Sequence, residues 1–147
     1  MSWLKEIPGQ PFKDAISLAP NAAKADDARA AAVKAGVDPR RYALVSLATA
    51  GMLGCESFID ALRGPVDAGT ASNVCLNWRE AELDDQEKSV LSYTEKGTLD
   101  ESSMRQEDVQ ALRDAGLSDG EVLSVTALVS YQNYAFRVAA ALNIIPR

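Results

Sequence analysis

The stretch ATAGMLGCESFIDALRG, residues 48–64, sets one cysteine, Cys55, directly after Gly54 at the head of an amphipathic run. A thiol at a helix start is a candidate nucleophile, because free backbone N–H groups aimed at the sulfur favour the thiolate and lower its pKa. Glu56 beside it acts in the opposite direction. The chain contains no histidine, which excludes Ser-His-Asp and Cys-His nucleophilic systems, histidine metal sites and imidazole bases within one chain. Any catalysis must therefore use carboxylates, thiols, Tyr, Lys, Arg or a borrowed cofactor. Cys75 stands from Cys55 at a separation that matches no zinc or CxxC spacing, and reads as a small core residue.

A second set of polar residues, Tyr131, Asn133, Tyr134 and Arg137, interrupts an apolar run near the C-terminal end. Tyr134 and Arg137 are three apart and Asn133 and Arg137 four apart, so on a helix each pair shares a face and could hold a carboxylate or carbonyl group at a pocket or subunit seam. The same residues also suit a plainer role, with Arg137 paired to an acid and the tyrosines filling core. Trp78 and Arg79, followed by Glu80, read as packing first and ligand contact second. The acidic clusters ELDDQE and LDESS are explained by helix capping and solvation rather than by metal binding. No GxxxxGK[ST] or GxGxxG phosphate loop occurs, and nothing calls for a cofactor.

The elements that must position these residues are helical almost throughout. Residues 22–35 are Ala-rich and end at Gly36; residues 37–50 follow, with Asp38 placed to cap and Pro39 suited to the first turn. Gly51 and Gly54 predict a break before a helix that carries Phe58, Ile59 and Leu62 on one face. A shorter helix over residues 70–81 bears Cys75 and Trp78. Asp84 with Glu87, and Ser118 with Glu121, have capping-box spacing, and Gly97 is expected to close the first of these two helices. Between them, residues 106–116 predict a short helix with Val109 and Leu112 inward. The last helix, from residue 118 to about 143, is apolar around much of its circumference, which predicts burial between partners. No segment shows a convincing period of two. The fold class is all-α, a bundle of about six helices forming one domain over residues 1–147, with the last helix packed on residues 39–63.

Composition bounds the function. The 147 residues are 47% hydrophobic, ordinary for one globular domain. Fifteen basic against twenty-one acidic residues leave a net charge of −6, unsuited to a nucleic acid or an anionic membrane surface. No segment approaches the length of a membrane helix and residues 1–16 lack a signal-type apolar core, so a cytoplasmic protein with reduced thiols is the expectation.

The pattern over residues 91–144, most clearly VQALRDAGLSDGE and YQNYAFRVAAAL, resembles the corresponding region of peroxidase-related proteins in the carboxymuconolactone decarboxylase and alkylhydroperoxidase D-like superfamily. With GCESFIDAL set on that family's active-site stretch, the resemblance covers residues 38–144; the first 37 residues match nothing in it. The resemblance implies a homo-oligomer (dimer, trimer or hexamer). Redox members typically carry a glutamate, a CxxC pair and a histidine, with the thiols reducing peroxide and the other two moving protons. Here the first cysteine corresponds to Cys55, but the second falls on Phe58, the histidine on Leu62 and the glutamate on Ala43. Phe58 cannot resolve a sulfenic acid formed at Cys55, so the dithiol cycle has no intramolecular route.

Two readings of function survive. One is an enzyme that keeps an inter-helix cavity and performs an isomerisation, cyclisation or lyase step on a small organic molecule, with Cys55, Tyr131 and Arg137 as candidate catalytic groups and Ala43, Phe58, Leu62, Trp78, Asn133 and Tyr134 as candidate substrate contacts. The other is a non-catalytic relative with a structural, assembly or ligand-binding role. A cavity lined by Phe58, Leu62 and Ala43 with Tyr131 or Arg137 reaching in would favour the first; a filled core would favour the second.

Overall fold

The structure, a computed structural model, describes residues 2–6 and 12–144. Among these residues it is all-α, with eight α-helices: α1 Phe12–Ile16, α2 Pro20–Ala35, α3 Pro39–Met52, α4 Ile59–Leu62, α5 Ala68–Asn77, α6 Asp85–Leu99, α7 Gln106–Asp114 and α8 Asp119–Leu142. Six of them are nine residues or longer, and the short α1 and α4 make up the difference from the bundle of about six expected. No described helix is long and apolar enough to cross a membrane.

Local chemistry sets the boundaries. Asp38 caps α3, its carboxylate accepting from the Arg41 N–H at 2.9 Å with Pro39 in the first turn. Both expected capping boxes form, Asp84 with Glu87 at α6 and Ser118 with Glu121 at α8. Gly97 does not close α6, which runs on to Leu99. A Cβ there would meet Val129 Cγ1 of α8 at 3.4 Å, an ordinary contact distance, so neither turn geometry nor crowding demands the glycine.

α3 is the central element, packed against α5, α6 and α8, and all eight residues from Ala43 to Ala50 are at 2% exposure or less, six with small or aliphatic side chains and two, Ser46 and Thr49, with hydroxyls bonded within the helix. Packing of α8 on α3 agrees with expectation. A buried polar contact joins the two: Gln132 Nε2 donates to Ser46 Oγ at 2.6 Å, and Ser46 donates to the Tyr42 carbonyl at 2.7 Å. α2 packs on the other side of α8, and α1 with Leu4 covers the end of that helix through Phe12, Ala15, Ala139 and Ile144. The Trp3 N–H donates to the Leu142 carbonyl at 3.0 Å, so the N-terminal residues tie down the last turn of α8.

Candidate functional site

Cys55 follows α3 by three residues, in a turn where Gly54 takes φ +74°. The expected helix from Cys55 to Gly64 is replaced by a 3-10 turn at Glu56–Phe58 and the single turn of α4. The cause is the way α3 ends: the Cys55 N–H donates back to the Ala50 carbonyl at 2.7 Å and the Leu53 N–H to Thr49 at 3.0 Å, so the chain reverses before a new helix can start. The thiol therefore gains no helix N-terminus. Its Sγ donates instead to the Leu53 carbonyl at 3.8 Å. Burial, and secondarily the Glu56 carboxylate, push the Cys55 thiol up from its ordinary range, opposite to what a nucleophilic cysteine needs. Cys75 is pushed up to about 11, again by burial first.

Cys55 is 5% exposed and packs with Ala50 and Phe136 in a small cluster flanked by Leu53, Phe58 and Leu62. Beside it lies an open pocket of about 280 Å³ between this turn and the last turn of α8. Gly54, Cys55, Ser57 and Phe58 form one wall, and Ala139, Ala140, Asn143 and Ile144 the other. Asn143, at φ 52° and ψ 52°, terminates α8 in the left-handed conformation that Asn tolerates better than most residues.

Of the residues singled out from sequence, only Cys55 and Phe58 line this pocket. Leu62 packs on the edge of the Cys55 cluster and also on the main core, while Ala43 is 1% exposed inside that core. The polar residues of α8 face elsewhere. Tyr131 donates to Asp26 of α2 at 3.3 Å in a buried contact. Asn133 donates to Thr98 Oγ1 at 2.9 Å, and Arg137 donates to the Thr98 carbonyl at 3.0 Å and to Asn133 Oδ1 at 3.3 Å, so this pair seals the C-terminal end of α6. Tyr134 packs edge-on to Phe12, ring centres 6.2 Å apart. Trp78 donates to Glu95 at 2.6 Å beneath Arg79, whose guanidinium lies 4.4 Å from the indole and binds Glu95 through two nitrogens at 2.7 and 3.0 Å. The Arg79 hydrogen bonds hold the Glu95 carboxyl below its ordinary value. Phe136 and the small residues at the end of α8 were the contributors the sequence reading missed; the AAALN run just before the helix end was the available signal.

These helices and their connections define the fold as alkylhydroperoxidase D-like. Three solved structures carry that comparison. An uncharacterized peroxidase-related protein from Silicibacter sp. TM1040 superposes with a TM-score of 0.82 at 19% identity over 92% of this chain and 75% of its own. An alkylhydroperoxidase AhpD core, an uncharacterized peroxidase-related protein from Ralstonia eutropha JMP134, gives 0.81 at 18% identity over 90% and 74%. A protein of unknown function from Agrobacterium tumefaciens, described as a candidate antioxidant defence protein AhpD, gives 0.77 at 18% identity over 97% and 96%. At the level of sequence, no family model and no curated protein matches the chain.

Proposed function

We propose that the protein binds a small, uncharged carbonyl-containing or aromatic molecule in the pocket beside Cys55, and does so without dithiol peroxidase chemistry. The observation that carries this reading is the pocket's lining: an opening of about 280 Å³ with Cys55 as the one ionisable side chain among the described residues that line it, that thiol pushed toward its protonated form, and the Ser57 hydroxyl and Asn143 amide as polar groups. A hydroxyl and an amide suit a carbonyl oxygen, while Phe58, Ala139 and Ile144 supply apolar contact.

Turnover of the isomerase, cyclase or lyase kind is the second reading and has less support. Such steps need a group that moves a proton or stabilises developing charge. Tyr131 and Arg137, the candidates from sequence, are absent from the pocket and engaged with Asp26 and with Thr98 and Asn133.

Thermal unfolding against a panel of small ketones, enones and aromatic carbonyls tests the proposal, together with the rate at which iodoacetamide alkylates Cys55. A binder present at a hundredfold its Kd adds about 2.7 kcal/mol, roughly 5–10 °C for a chain of this size. It should slow alkylation of Cys55 and lose both effects in Ala140→Phe, which fills the pocket from an exposed position. A panel that neither raises the melting temperature nor protects Cys55 would overturn the reading.

A further inference from the structure

We infer that a second pocket, set between α6, α7 and α8, binds a free amino acid whose side chain is apolar. The opening measures about 420 Å³, within the ordinary range of small-molecule sites, and shares no lining residue with the pocket beside Cys55. Gly97 of α6, Met104, Val109 of α7 and Val129 of α8 form its apolar part. Tyr93, Glu101, Arg105 and Ser130 bring polar atoms to it.

Gly97 is the residue that opens this space. Alanine suits a helix interior better than glycine, and neither the backbone nor crowding forbids an alanine here. A Cβ would stand 3.4 Å from Val129 Cγ1 and 3.9 Å from Met104 Cε, in ordinary contact with both, so any longer side chain extends into the opening. The glycine thus contributes room rather than a turn or a close helix crossing.

The polar atoms divide into acceptors and donors. Thr126 gives its one hydroxyl proton to the Val122 carbonyl at 2.8 Å, so the Tyr93 hydroxyl, 2.9 Å from Thr126 Oγ1, is the donor in that pair. Ser130 donates to the Thr126 carbonyl at 2.9 Å. Tyr93 Oη and Ser130 Oγ therefore offer the pocket lone pairs alone. The Glu101 carboxylate adds a negative charge and has no hydrogen-bond or ionic partner among the described residues. Such a set suits an ammonium group, which donates three hydrogen bonds and accepts none.

Arg105 supplies the donors. Its backbone N–H donates to Asp108 at 2.7 Å, the carboxylate that Lys96 of α6 also holds at 2.7 Å, and one terminal guanidinium nitrogen donates to the Ser102 and Met104 carbonyls at 3.3 and 2.9 Å. These contacts fix the residue at the opening, while its other guanidinium N–H groups have no partner among the described residues and suit a carboxylate. An ammonium and a carboxylate on one small apolar body describe a zwitterionic amino acid. Its zero net charge also avoids the repulsion that a protein of net charge −6 exerts on a simple anion.

Isothermal titration calorimetry with L-leucine should give a Kd of about 1 mM or tighter. Isocaproate, which lacks the ammonium, and isopentylamine, which lacks the carboxylate, should each bind at least about tenfold more weakly, the loss expected for a hydrogen bond between charged groups. Arg105→Gln should weaken leucine to the same degree and leave isopentylamine unchanged, and Glu101→Gln should weaken leucine and leave isocaproate unchanged. Gly97→Leu should abolish binding, with Gly97→Ala melting no lower than the wild type. Should Gly97→Leu not fold, Arg105→Gln, at an exposed position, decides alone. Ala140→Phe, which fills the pocket beside Cys55, should leave leucine binding intact; if it abolishes binding, the amino acid occupies that other pocket and the inference falls. No binding at millimolar leucine by calorimetry or thermal shift would overturn it as well. So would either analogue binding as tightly as leucine, or a folded Gly97→Leu or Arg105→Gln variant that binds leucine as the wild type does.

Discussion

Gly51→Ala tests whether the tight seating of α5 on α3 holds the site in place. By helix propensity alone the change should stabilise, since alanine in a helix interior is better than glycine by about 1 kcal/mol. The structure predicts the reverse. A Cβ on Gly51 would fall on the carbonyl oxygen of Cys75, with the carbonyl carbon at 2.7 Å and Cα at 3.2 Å, whereas ordinary contact begins near 3.4 Å. The atoms struck are backbone inside α5, so no rotamer change relieves the clash and the two helices must move apart. Overpacking of this kind costs roughly 1–3 kcal/mol, and a rigid obstacle belongs at the upper end. With the propensity gain subtracted, the net loss is about 2 kcal/mol, or roughly 4–8 °C in melting temperature for a chain of this length. Urea unfolding followed by circular dichroism measures it. Gly69→Ala is the control, since its new Cβ would meet nothing closer than Asp67 Oδ1 at 3.4 Å, and it should be neutral or stabilising by about 0.5 kcal/mol. If Gly51→Ala proves as stable as the wild type, the close approach of α3 and α5 is not a real constraint and the reasoning fails.

Four further outcomes are expected. With dithiothreitol and an organic hydroperoxide, the protein should show no turnover above background, and turnover lost in Cys55→Ser would refute the reading of the thiol. Cys75, pushed up to about 11 from 9.0, has a folded pKa above its unfolded one; its contribution is whole below pH 9 and fades as pH rises toward 11, by at most about 2–3 kcal/mol. The fall in stability over that interval should accordingly be smaller in Cys75→Ala than in the wild type, and equal slopes would count against a buried thiol. Glu95 is held low by Arg79, so its contribution is present above the unfolded pKa and is lost as pH falls through the folded one; the acid transition of Trp78 fluorescence should lie below 4.5 and move upward in Arg79→Ala. Ser46→Ala should cost about 1–3 kcal/mol in urea unfolding, because Gln132 is 0% exposed, its Oε1 already lacks a partner, and the change strips its Nε2 as well.

Much of the fold was legible because its signals are local. A carboxylate or hydroxyl three residues before a glutamate closes a capping box whatever the surrounding structure, and both boxes formed where the spacing placed them. Proline at the first turn of α3 is a signal of the same sort. Glycine was less legible, since one residue type serves unrelated ends: Gly116 terminates at φ +100°, while Gly51 sits inside a helix to admit a neighbour. Only the facing helix distinguishes those roles, and it is brought there by tertiary packing. The turn at Cys55 failed for a similar reason. Periodicity in CESFIDALRG is helical, but the backbone hydrogen bonds that end α3 consume the residues a new helix would need for its first turn.

The candidate site was less legible than the fold, and α8 shows why. Spacing correctly put Asn133 and Arg137 on one face, but spacing cannot tell which neighbour that face meets; it meets the last turn of α6, so their polar groups go to Thr98 rather than to a ligand. Rotation about the helix axis decides the matter. Phe136, one residue before Arg137 and thus about 100° around the helix, is the one that reaches Cys55. Such rotation is set by the core as a whole, where Leu128, Ala135 and Phe136 are all 0% exposed, and those apolar residues outweigh any preference of the polar ones because each buried side chain contributes about 1.5–3 kcal/mol against about 1 kcal/mol for a typical hydrogen bond. The same rotation leaves Leu123, Ser130 and Tyr134 on the outside. A helix apolar around most of its circumference must be covered by neighbours, and here α2, α3, α6 and α7 cover it from within the bundle.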